Sequence, residues 1–567
     1  MVALIAVLAA ALRLYRLDTD LWIDEIGSFQ YATSVTVGEL FRTFSSPNQH
    51  LMNSLLERLS VALLGEHDWT VRLPAALFGI ATVPAMYWLA RPVMRGWQSL
   101  AVAFLTAVSY HHIWFSQNAR GYSGYLLFSV LSTGALYRLA LTGRRRWVAA
   151  YAISAVLALS SLVIAAFVII AHVILVAFFV LHRHRDAEPV ALTIRRLLIA
   201  FGITAIVSLA IYGPTAIELL RVVGTAYVRE GTGFRPVSLE FVREALRGLG
   251  TGFGSLALVG AVPFLVLVAV GTLSLLRRGW LIVLTFVLAL GMMAAVVVVA
   301  GWLTSPRFFI LVAPLAFLVA VESLDVVARL LSRLVAEPRR QRVHTVLTGA
   351  AVVVCAVALA FGLPRYYRIP KQSFRATIAA FTARAKPGDA LVAVYQADRG
   401  FDYYTRRLGL AGDGRFYSTR TVSGFDSLGT ALSGRRVYLA TTFERAFKVE
   451  SPDLWKRVEE GWSPVESFPA TIGYGEITLW QPKKIGNRRE PRTGNREQTE
   501  RGCPRSGQVR NRLSFRAERG IAVLPVEGRA LGRDDRSSRA GIQNGGVMRM
   551  SDMSRTLRID LQTQDPF

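Results

Sequence analysis

Long uninterrupted apolar runs, separated by short polar stretches, dominate residues 1–363. They lie at residues 1–17, 73–93, 98–115, 122–141, 147–162, 163–181, 197–213, 254–276, 280–301, 307–323 and 344–363. A bilayer core of about 30 Å requires roughly 20 apolar residues per helix, so the pattern predicts about eleven membrane-spanning helices. The run from 147 to 181 is too long for one span, and we place a turn near Ser160 and Ser161.

Residues 364–484 have a different pattern, in which β-rich segments alternate with helical ones. Segments 390–395, 436–440 and 477–480 are typical of strands, and segments 375–385 and 451–459 are typical of helices. This pattern predicts a small extracytoplasmic α/β domain over residues 364–484, following a membrane domain over residues 1–363. Acceptor recognition and simple stabilisation of the membrane domain are both open as roles for it.

From about residue 485 the apolar periodicity ends, and Arg, Gly, Ser, Asn and Gln dominate. Such a segment cannot bury enough surface to offset the entropy lost on ordering, so residues 485–567 are predicted to be a disordered tail. Two readings of this tail stay open: readthrough beyond the natural end of the gene, and a basic tail that binds anionic partners.

The distribution of basic residues gives the orientation, because cytoplasmic loops carry an excess of Lys and Arg. Alternate loops are rich in Arg, at residues 91–95, 144–146, 183–196, 277–278 and 333–342. The other segments are then extracytoplasmic, namely residues 18–72, the turn around Arg120, residues 214–253, the turn before Arg307, and everything after residue 363. The two long outer loops and both arginine turns are therefore predicted on one face.

Composition supports this class and excludes others. Hydrophobic residues make up 52% of the 567 positions, and the formal net charge of +26 is what basic cytoplasmic loops produce, so we expect no nucleic-acid partner. The only two cysteines, Cys355 and Cys503, cannot build a disulfide framework or a cysteine metal site. The first apolar run lacks a basic n-region and a small-residue cleavage site, so we expect a retained span.

Two adjacent carboxylates, Asp24 and Glu25, follow the first apolar run. A carboxyl pair at a membrane face is costly unless it is solvated or functional, which makes it a candidate site. The alternative is that the two acids cap the start of a helix, where negative charge is favoured.

Arginine is the second candidate feature. Arg120 stands in an outer turn beside Gln117, against the positive-inside bias, and a planar guanidinium suits phosphate; the alternative is an arginine that reaches the lipid headgroups. Because no lysine precedes Lys371, any anion held by the membrane part must be held by arginine, a helix N-terminus or backbone amides. The outward-side arginines are Arg13, Arg72, Arg120 and Arg307.

Five segments stand in a consistent order along the chain: residues 12–25, Asn48-Gln49-His50-Leu51, residues 72–79, residues 116–122 and Pro306-Arg307-Phe308. Together they resemble the membrane glycosyltransferases with the C-type fold. Within that superfamily the chain is similar to the group containing protein O-mannosyltransferases, the lipid A aminoarabinose transferase and the rhizobial lipopolysaccharide-core transferases, classed in families 39 and 83. The resemblance covers roughly residues 1–325, with a weaker match over 370–404. The first outer loop departs from the commoner His-Pro-Pro-Leu pattern, which affects the acceptor class more than the reaction.

The resemblance implies inverting transfer of a sugar from a polyprenyl-phosphate carrier to a lipid, glycan or protein acceptor of the cell envelope, at the outer face of the cytoplasmic (inner) membrane. A lipid-phosphate leaving group needs positive charge, and the acceptor hydroxyl needs a general base. It implies Asp24 as the base and Glu25 as the residue that orients it or the substrate. The implied contacts to the carrier phosphate are Arg120, Arg307, Arg13 and Arg72, and those to substrate are His50, Asn48, Gln117 and Tyr122.

No cofactor is implied, since a monophosphate carrier lacks the pyrophosphate that usually calls for a metal, and a divalent metal is not excluded. The remaining alternative is a polytopic transporter or flippase of lipid-linked sugars. Many transporters show two matching halves with broken helices, and the sequence has no such repeat.

Overall fold

Helices form the membrane part of the protein. The computed structural model describes residues 1–44, 49–182, 188–226, 261–299 and 306–483. The helices up to the α/β domain are α1 (Val2–Leu14), α2 (Ile23–Ser34), α3 (Val37–Leu40), α4 (Leu51–Leu64), α5 (Asp68–Ala90), α6 (Gly96–Val108), α7 (Tyr110–Ser116), α8 (Tyr122–Thr142), α9 (Arg146–Ser161), α10 (Ala166–His182), α11 (Glu188–Tyr212), α12 (Ala216–Ala226), α13 (Ala261–Val299), α14 (Val312–Ser332), α15 (Glu337–Ala360) and α16 (Leu363–Arg368). Within the described ranges, seven helices are long and apolar enough to span a membrane, and α1, α6 and α9 are shorter apolar helices.

Each predicted apolar run coincides with helix, with local differences that have physical causes. The run 98–115 is divided at Ser109, whose extended backbone separates α6 from α7. The described parts of the runs 254–276 and 280–301, residues 261–276 and 280–299, both fall in α13, which is interrupted at Gly279. The predicted turn is confirmed, since α9 ends at Ser161 and Leu162 is extended. The outer segment 214–253 lies mostly outside the described residues, so the total of eleven spans stays a prediction.

The α/β domain is built on a five-stranded sheet. Its elements are α17 (Phe374–Arg384), β1 (Ala390–Val394), α18 (Ala397–Arg407), β2 (Phe416–Thr419), α19 (Val422–Ala431), β3 (Val437–Thr441), α20 (Glu444–Glu450), α21 (Pro452–Gly461), β4 (Trp462–Phe468) and β5 (Ile477–Pro482). The strand order is β2-β1-β3-β5-β4; β1 pairs in parallel with β2 and β3, whereas β5 is antiparallel to β3 and β4. The three predicted strands and two predicted helices are all present.

Two edge strands, β2 and β4, were not predicted from the sequence. Strand β2 has only four residues, and β4 carries Pro464 and polar exposed positions, which edge strands tolerate and central strands do not. The predicted disordered tail, residues 485–567, lies outside the described residues, and the boundary at residue 363 stays a prediction.

The α/β domain packs directly on the first outer loop. Trp22 and Ile26 of that loop share a hydrophobic core with Phe374 and Phe401 of the domain. The backbone N–H of Ile23 donates to the Gln372 side-chain oxygen at 2.9 Å. The start of α2 is therefore fixed from the membrane side and from the domain side at once.

Candidate active site

Asp24 is the centre of a buried ion cluster at the N-terminus of α2. Its side chain is 4% exposed. Arg120 Nη1 donates to Asp24 Oδ2 at 2.8 Å, and Arg307 Nη1 donates to the same oxygen at 3.1 Å. Two cations thus converge on one oxygen of the buried carboxylate.

The indole of Trp22 supports both arginines. The guanidinium carbons of Arg120 and Arg307 lie 5.8 and 5.7 Å from the Trp22 ring centroid. The face of an aromatic ring attracts a cation, and the attraction is stronger where water is excluded. Trp22, which directly precedes α2, therefore sets the spacing of the two guanidinium groups around Asp24.

Glu25 has a different environment from its neighbour, because it is completely buried and its oxygens are saturated. Arg72 donates to both carboxylate oxygens at 2.8 and 2.6 Å, and Lys371 Nζ lies 3.3 Å from Oε1. The backbone N–H groups of Ala119 and Trp22 donate at 2.8 and 3.2 Å. Burial opposes the charge, but the two cations and the hydrogen bonds outweigh it and lower the pKa of Glu25 to about 2.

The bond from Trp22 N–H to Glu25 is a helix-capping contact. The helix-cap interpretation of the acid pair therefore describes Glu25, which caps α2 and ties it to the Arg120 turn through Ala119. Asp24 lies in the same first turn and differs from Glu25 in pairing with Arg120 and Arg307.

Lys371 is a site residue that the sequence interpretation missed. Its ammonium group is 1% exposed, donates to the Gln117 carbonyl at 2.6 Å and lies 4.7 Å from the Trp114 ring centroid. Burial lowers the pKa of Lys371 to about 7, although the Glu25 carboxylate opposes this shift. Its position as the first lysine of the chain, within the weakly matching segment 370–404, was the available signal.

Of the four predicted substrate contacts, His50 and Tyr122 lie beside Arg120. His50 Nε2 accepts from Arg120 Nε at 3.3 Å, and the Tyr122 ring centroid is 5.2 Å from the Arg120 guanidinium carbon. Burial and the charges of Arg120 and Arg307 lower the pKa of His50 well below its usual value, which favours a neutral hydrogen-bond acceptor. The Tyr122 hydroxyl is buried without a partner among the described residues, so it can bind a ligand, whereas the ring of His50 also interacts with the Ser161 backbone.

The other two residues predicted to contact substrate are Gln117 and Asn48. The Gln117 amide donates to the carbonyls of Arg13 and Tyr15 at 2.8 and 2.9 Å, so it braces the end of α1. Asn48 lies outside the described residues.

Arg13 and Arg72 were predicted, with Arg120 and Arg307, to hold the carrier phosphate. Arg13 instead donates within the helix bundle, to the carbonyls of Ala9, Thr106 and Ala107, to Ser116 Oγ and to His112 Nδ1. Arg72 binds Glu25 and the backbone carbonyls of Leu17, Thr19 and Asp20. The structure therefore brings only Arg120 and Arg307 onto Asp24.

Helix α4, in the segment between the first two apolar runs, is amphipathic, and its polar face is turned inward. Asn53 and Glu57 are buried, whereas Leu59 and Leu63 are 53% and 72% exposed. Asn53 Nδ2 donates to Glu57 Oε1 at 2.6 Å. Burial and the nearby charge of Glu25 raise the pKa of Glu57 well above its usual value, favouring the protonated acid. The apolar face is the outward one because its surroundings are predicted to be lipid.

Among the residues that the structure describes, no three His, Cys, Asp or Glu side chains are grouped so as to hold a metal ion.

One family model matches part of the chain. Residues 47–212 match the family model described as dolichyl-phosphate-mannose-protein mannosyltransferase. No curated protein matches the chain. The family match confirms the resemblance drawn from the motifs, and with it the predicted fold class and enzyme class.

Solved structures are similar at low sequence identity. ArnT from Cupriavidus metallidurans in the apo state is 13% identical over 84% of this chain and 97% of its own, with a TM-score of 0.47. Archaeal oligosaccharyltransferase AglB from Archaeoglobus fulgidus, in complex with an inhibitory peptide and a dolichol-phosphate, is 12% identical over 84% and 73%, with a TM-score of 0.48. The S. cerevisiae Pmt1-Pmt2 complex bound to the sugar donor is 17% identical over 40% and 35%, with a TM-score of 0.32.

Proposed function

We propose that this polytopic membrane glycosyltransferase of the C-type fold transfers a sugar from a polyprenyl-phosphate carrier to an acceptor hydroxyl of the cell envelope, with inversion at the sugar. The observation that carries the proposal is the pairing of Arg120 and Arg307 with a single oxygen of Asp24. This arrangement supplies one base and two cations, which is the equipment that such a transfer requires.

Asp24 acts as the general base. Its Oδ1 takes the proton of the acceptor hydroxyl while the acceptor oxygen forms a bond to the anomeric carbon of the sugar. The bond from that carbon to the phosphate oxygen breaks, and the electron pair leaves with the polyprenyl phosphate. Direct attack from the side opposite the phosphate inverts the anomeric centre, and a positioned base contributes about 10²–10⁴-fold in rate to a step of this kind.

Arg120 and Arg307 hold the carrier phosphate. Guanidinium groups bind phosphate oxygens bidentately and stay charged, so they stabilise the negative charge of the leaving group. In the structure both groups are drawn to the Asp24 carboxylate, which marks the place where an anion is stabilised. Tyr122, whose hydroxyl is unpartnered among the described residues, supplies a hydrogen bond to the sugar, and His50, with its ring centroid 5.9 Å from that of Tyr122, lines the same part of the site.

Glu25 positions Asp24 rather than touching substrate. Its oxygens are saturated by Arg72, Lys371 and two backbone N–H groups. This network fixes the first turn of α2 and the Arg120 turn together. We place the protein in the cytoplasmic (inner) membrane with this site at the outer face, since the site residues and the α/β domain lie on the segments assigned outside by the positive-inside bias.

A transfer assay on detergent-purified full-length protein tests the proposal, with a panel of radiolabelled polyprenyl-phosphate sugars and native membrane lipid, glycan and protein acceptors. We expect Asp24→Asn to lower transfer by about 10³-fold. The matched control is Asp18→Asn, which replaces an exposed acid of the same loop and should transfer like wild type. Equal transfer by Asp24→Asn and wild type would overturn the mechanism. Movement of labelled lipid across proteoliposomes without any transfer would instead support a flippase.

A further inference from the structure

A buried amide and a buried carboxyl group meet on the inward face of α4. Asn53 and Glu57 are one helical turn apart, so their side chains lie on the same face, and both are buried. Asn53 Nδ2 donates to Glu57 Oε1 at 2.6 Å. The remaining oxygens, Asn53 Oδ1 and Glu57 Oε2, are buried without a partner among the described residues. Buried polar atoms are rarely left in that state, so both oxygens need an explanation.

One proton explains both oxygens. An amide oxygen and an ionised carboxylate are acceptors only, so an ionised pair can form the bond from Asn53 to Glu57 and no second one. A protonated Glu57 carries its hydrogen on Oε2 and can donate it to Asn53 Oδ1. The pair then forms two hydrogen bonds and leaves no charge in the interior, where an uncompensated carboxylate is costly.

The charges near Glu57 also favour the neutral acid. Burial, and after it the Glu25 carboxylate of α2, raises the pKa of Glu57 well above its usual value. The Arg120 guanidinium opposes this shift, but it is paired with Asp24 at 2.8 Å. A second negative charge beside Glu25 would therefore be unfavourable at this position.

The other helices that pack against α4 are α5 and α9. Asp68 and Arg72 of α5 form ion pairs with Arg407 and Glu25. The last turn of α9, residues 158–161, contains no titratable side chain. The charges that act on Glu57 are thus those of the candidate active site.

The charge of Glu57 matters in turn for Arg120. His50 precedes Asn53 by three positions, and its Nε2 accepts from Arg120 Nε at 3.3 Å. The pair therefore begins about one helical turn from the residue that contacts Arg120. An ionised Glu57 would attract the Arg120 guanidinium and would cancel part of the positive charge that a carrier phosphate needs. A neutral pair does neither.

We propose that Glu57 is a positioning residue for the transfer reaction. Its carboxyl group stays protonated and donates to Asn53 Oδ1, and the neutral pair leaves Arg120 directed at Asp24 and at the carrier phosphate. This inference rests on the proposed function, because it takes Arg120 as a ligand of that phosphate.

Infrared spectroscopy tests the protonation state directly. The C=O stretch of a protonated carboxylic acid is separate from the carboxylate bands, so the difference spectrum between wild type and Glu57→Gln in detergent at pH 7 shows which form is lost. We expect the variant to lose an acid band and to keep all carboxylate bands. Glu66→Gln is the matched control, because Glu66 is exposed just after the end of α4, and it should lose a carboxylate band. Loss of a carboxylate band by Glu57→Gln would overturn the inference.

Binding of labelled undecaprenyl phosphate to the purified full chain tests the positioning role. In Glu57→Gln the new amide can donate to Asn53 Oδ1 and accept from Asn53 Nδ2, so the variant should bind within about threefold of wild type. Asn53→Asp is the opposite change: two acids that share one proton carry one negative charge, which should weaken binding by about tenfold or more. Gln341→Glu adds the same charge at an exposed position of α15 and should bind like wild type.

The possible outcomes separate this inference from the proposed function. Wild-type affinity in Asn53→Asp would contradict the positioning role, and so would a tenfold loss in Glu57→Gln, because a neutral isostere would then fail to replace the acid. If Asn53→Asp is poorly folded, the infrared spectra and the affinity of Glu57→Gln still decide. Absence of undecaprenyl phosphate binding in wild type would overturn the proposed function and the positioning role with it, whereas the acid band reports the protonation of Glu57 in either case.

Discussion

The guanidinium of Arg72 meets the carboxylate of Glu25 in a two-point ion pair, with Nε 2.8 Å from Oε1 and Nη2 2.6 Å from Oε2. Both side chains are buried, so each charge depends on the other. Asp24, one position earlier, shares neither partner and binds Arg120 and Arg307 through one oxygen. The two adjacent acids therefore have separate sets of partners, Arg72 and Lys371 for Glu25, and Arg120 and Arg307 for Asp24.

Lowering the pH should destabilise the folded protein by protonating Glu25. Its pKa is lowered to about 2 in the folded protein, from an ordinary value of 4.5. A carboxyl group whose pKa is lowered on folding stabilises the fold fully above pH 4.5. That stabilisation is lost as the pH falls from 4.5 through 2. The shift corresponds to roughly 3 kcal/mol of unfolding free energy. Thermal unfolding in detergent between pH 6 and pH 2 measures it.

The control for this pH dependence is Glu25→Gln, which removes the titrating group. That variant should be less stable than wild type at pH 6, because Arg72 and Lys371 lose a buried partner. Its stability should fall less steeply than that of wild type below pH 4.5. Parallel curves for the two proteins would show that Glu25 does not carry the acid sensitivity.

Replacing Arg120 or Arg307 should weaken the binding of a polyprenyl phosphate. Arg120→Gln and Arg307→Gln each remove a charged donor, worth about 1.5–3 kcal/mol, so undecaprenyl phosphate should bind about 10- to 150-fold more weakly. Arg120→Lys should recover part of the loss, because it restores the charge without the planar fork. Equilibrium binding of labelled undecaprenyl phosphate is the measurement. Arg95→Gln, at an exposed position of a predicted cytoplasmic loop, should bind like wild type.

The sequence predicted the secondary-structure elements better than the contacts between side chains. Apolar runs located the long apolar helices, and the positive-inside bias predicted that Asp24, Arg120 and Arg307 share one face. It could not separate Arg13 from Arg120, because both are outward arginines and only packing shows that Arg13 donates inside the bundle. Lys371 reaches Glu25 across 346 positions of sequence. A contact of that kind depends on how the α/β domain docks, which no local pattern encodes.

Tyr404 should anchor the α/β domain to the outer loop. Its hydroxyl accepts from Leu21 N–H at 2.6 Å and donates to Asp68 Oδ2 at 3.1 Å, both in the interior. Tyr404→Phe leaves a buried N–H and a carboxylate oxygen with one partner fewer, at a cost of about 1–3 kcal/mol. The midpoint of thermal unfolding should fall. Tyr417→Phe is the comparison, because the Tyr417 hydroxyl donates to the Gly414 carbonyl and accepts from Arg435 nearer the surface, and it should lower the midpoint less than Tyr404→Phe does.

Gly121 should be intolerant of any side chain, because the Arg120 turn packs against the end of α9 there. A Cβ at Gly121 would lie 1.8 Å from the Ser161 carbonyl oxygen and 3.2 Å from His50 Cγ. Neither the backbone of α9 nor the buried His50 can move without shifting Arg120, so Gly121→Ala should lose about 1–3 kcal/mol of stability. Undecaprenyl phosphate binding should weaken at the same time, because Arg120 is displaced. Gly202→Ala, in α11 with nothing within 4 Å, should change neither quantity. If Gly121→Ala retains wild-type stability and phosphate binding, the Arg120 turn is not held by this contact, and the geometry assigned to the phosphate site is wrong.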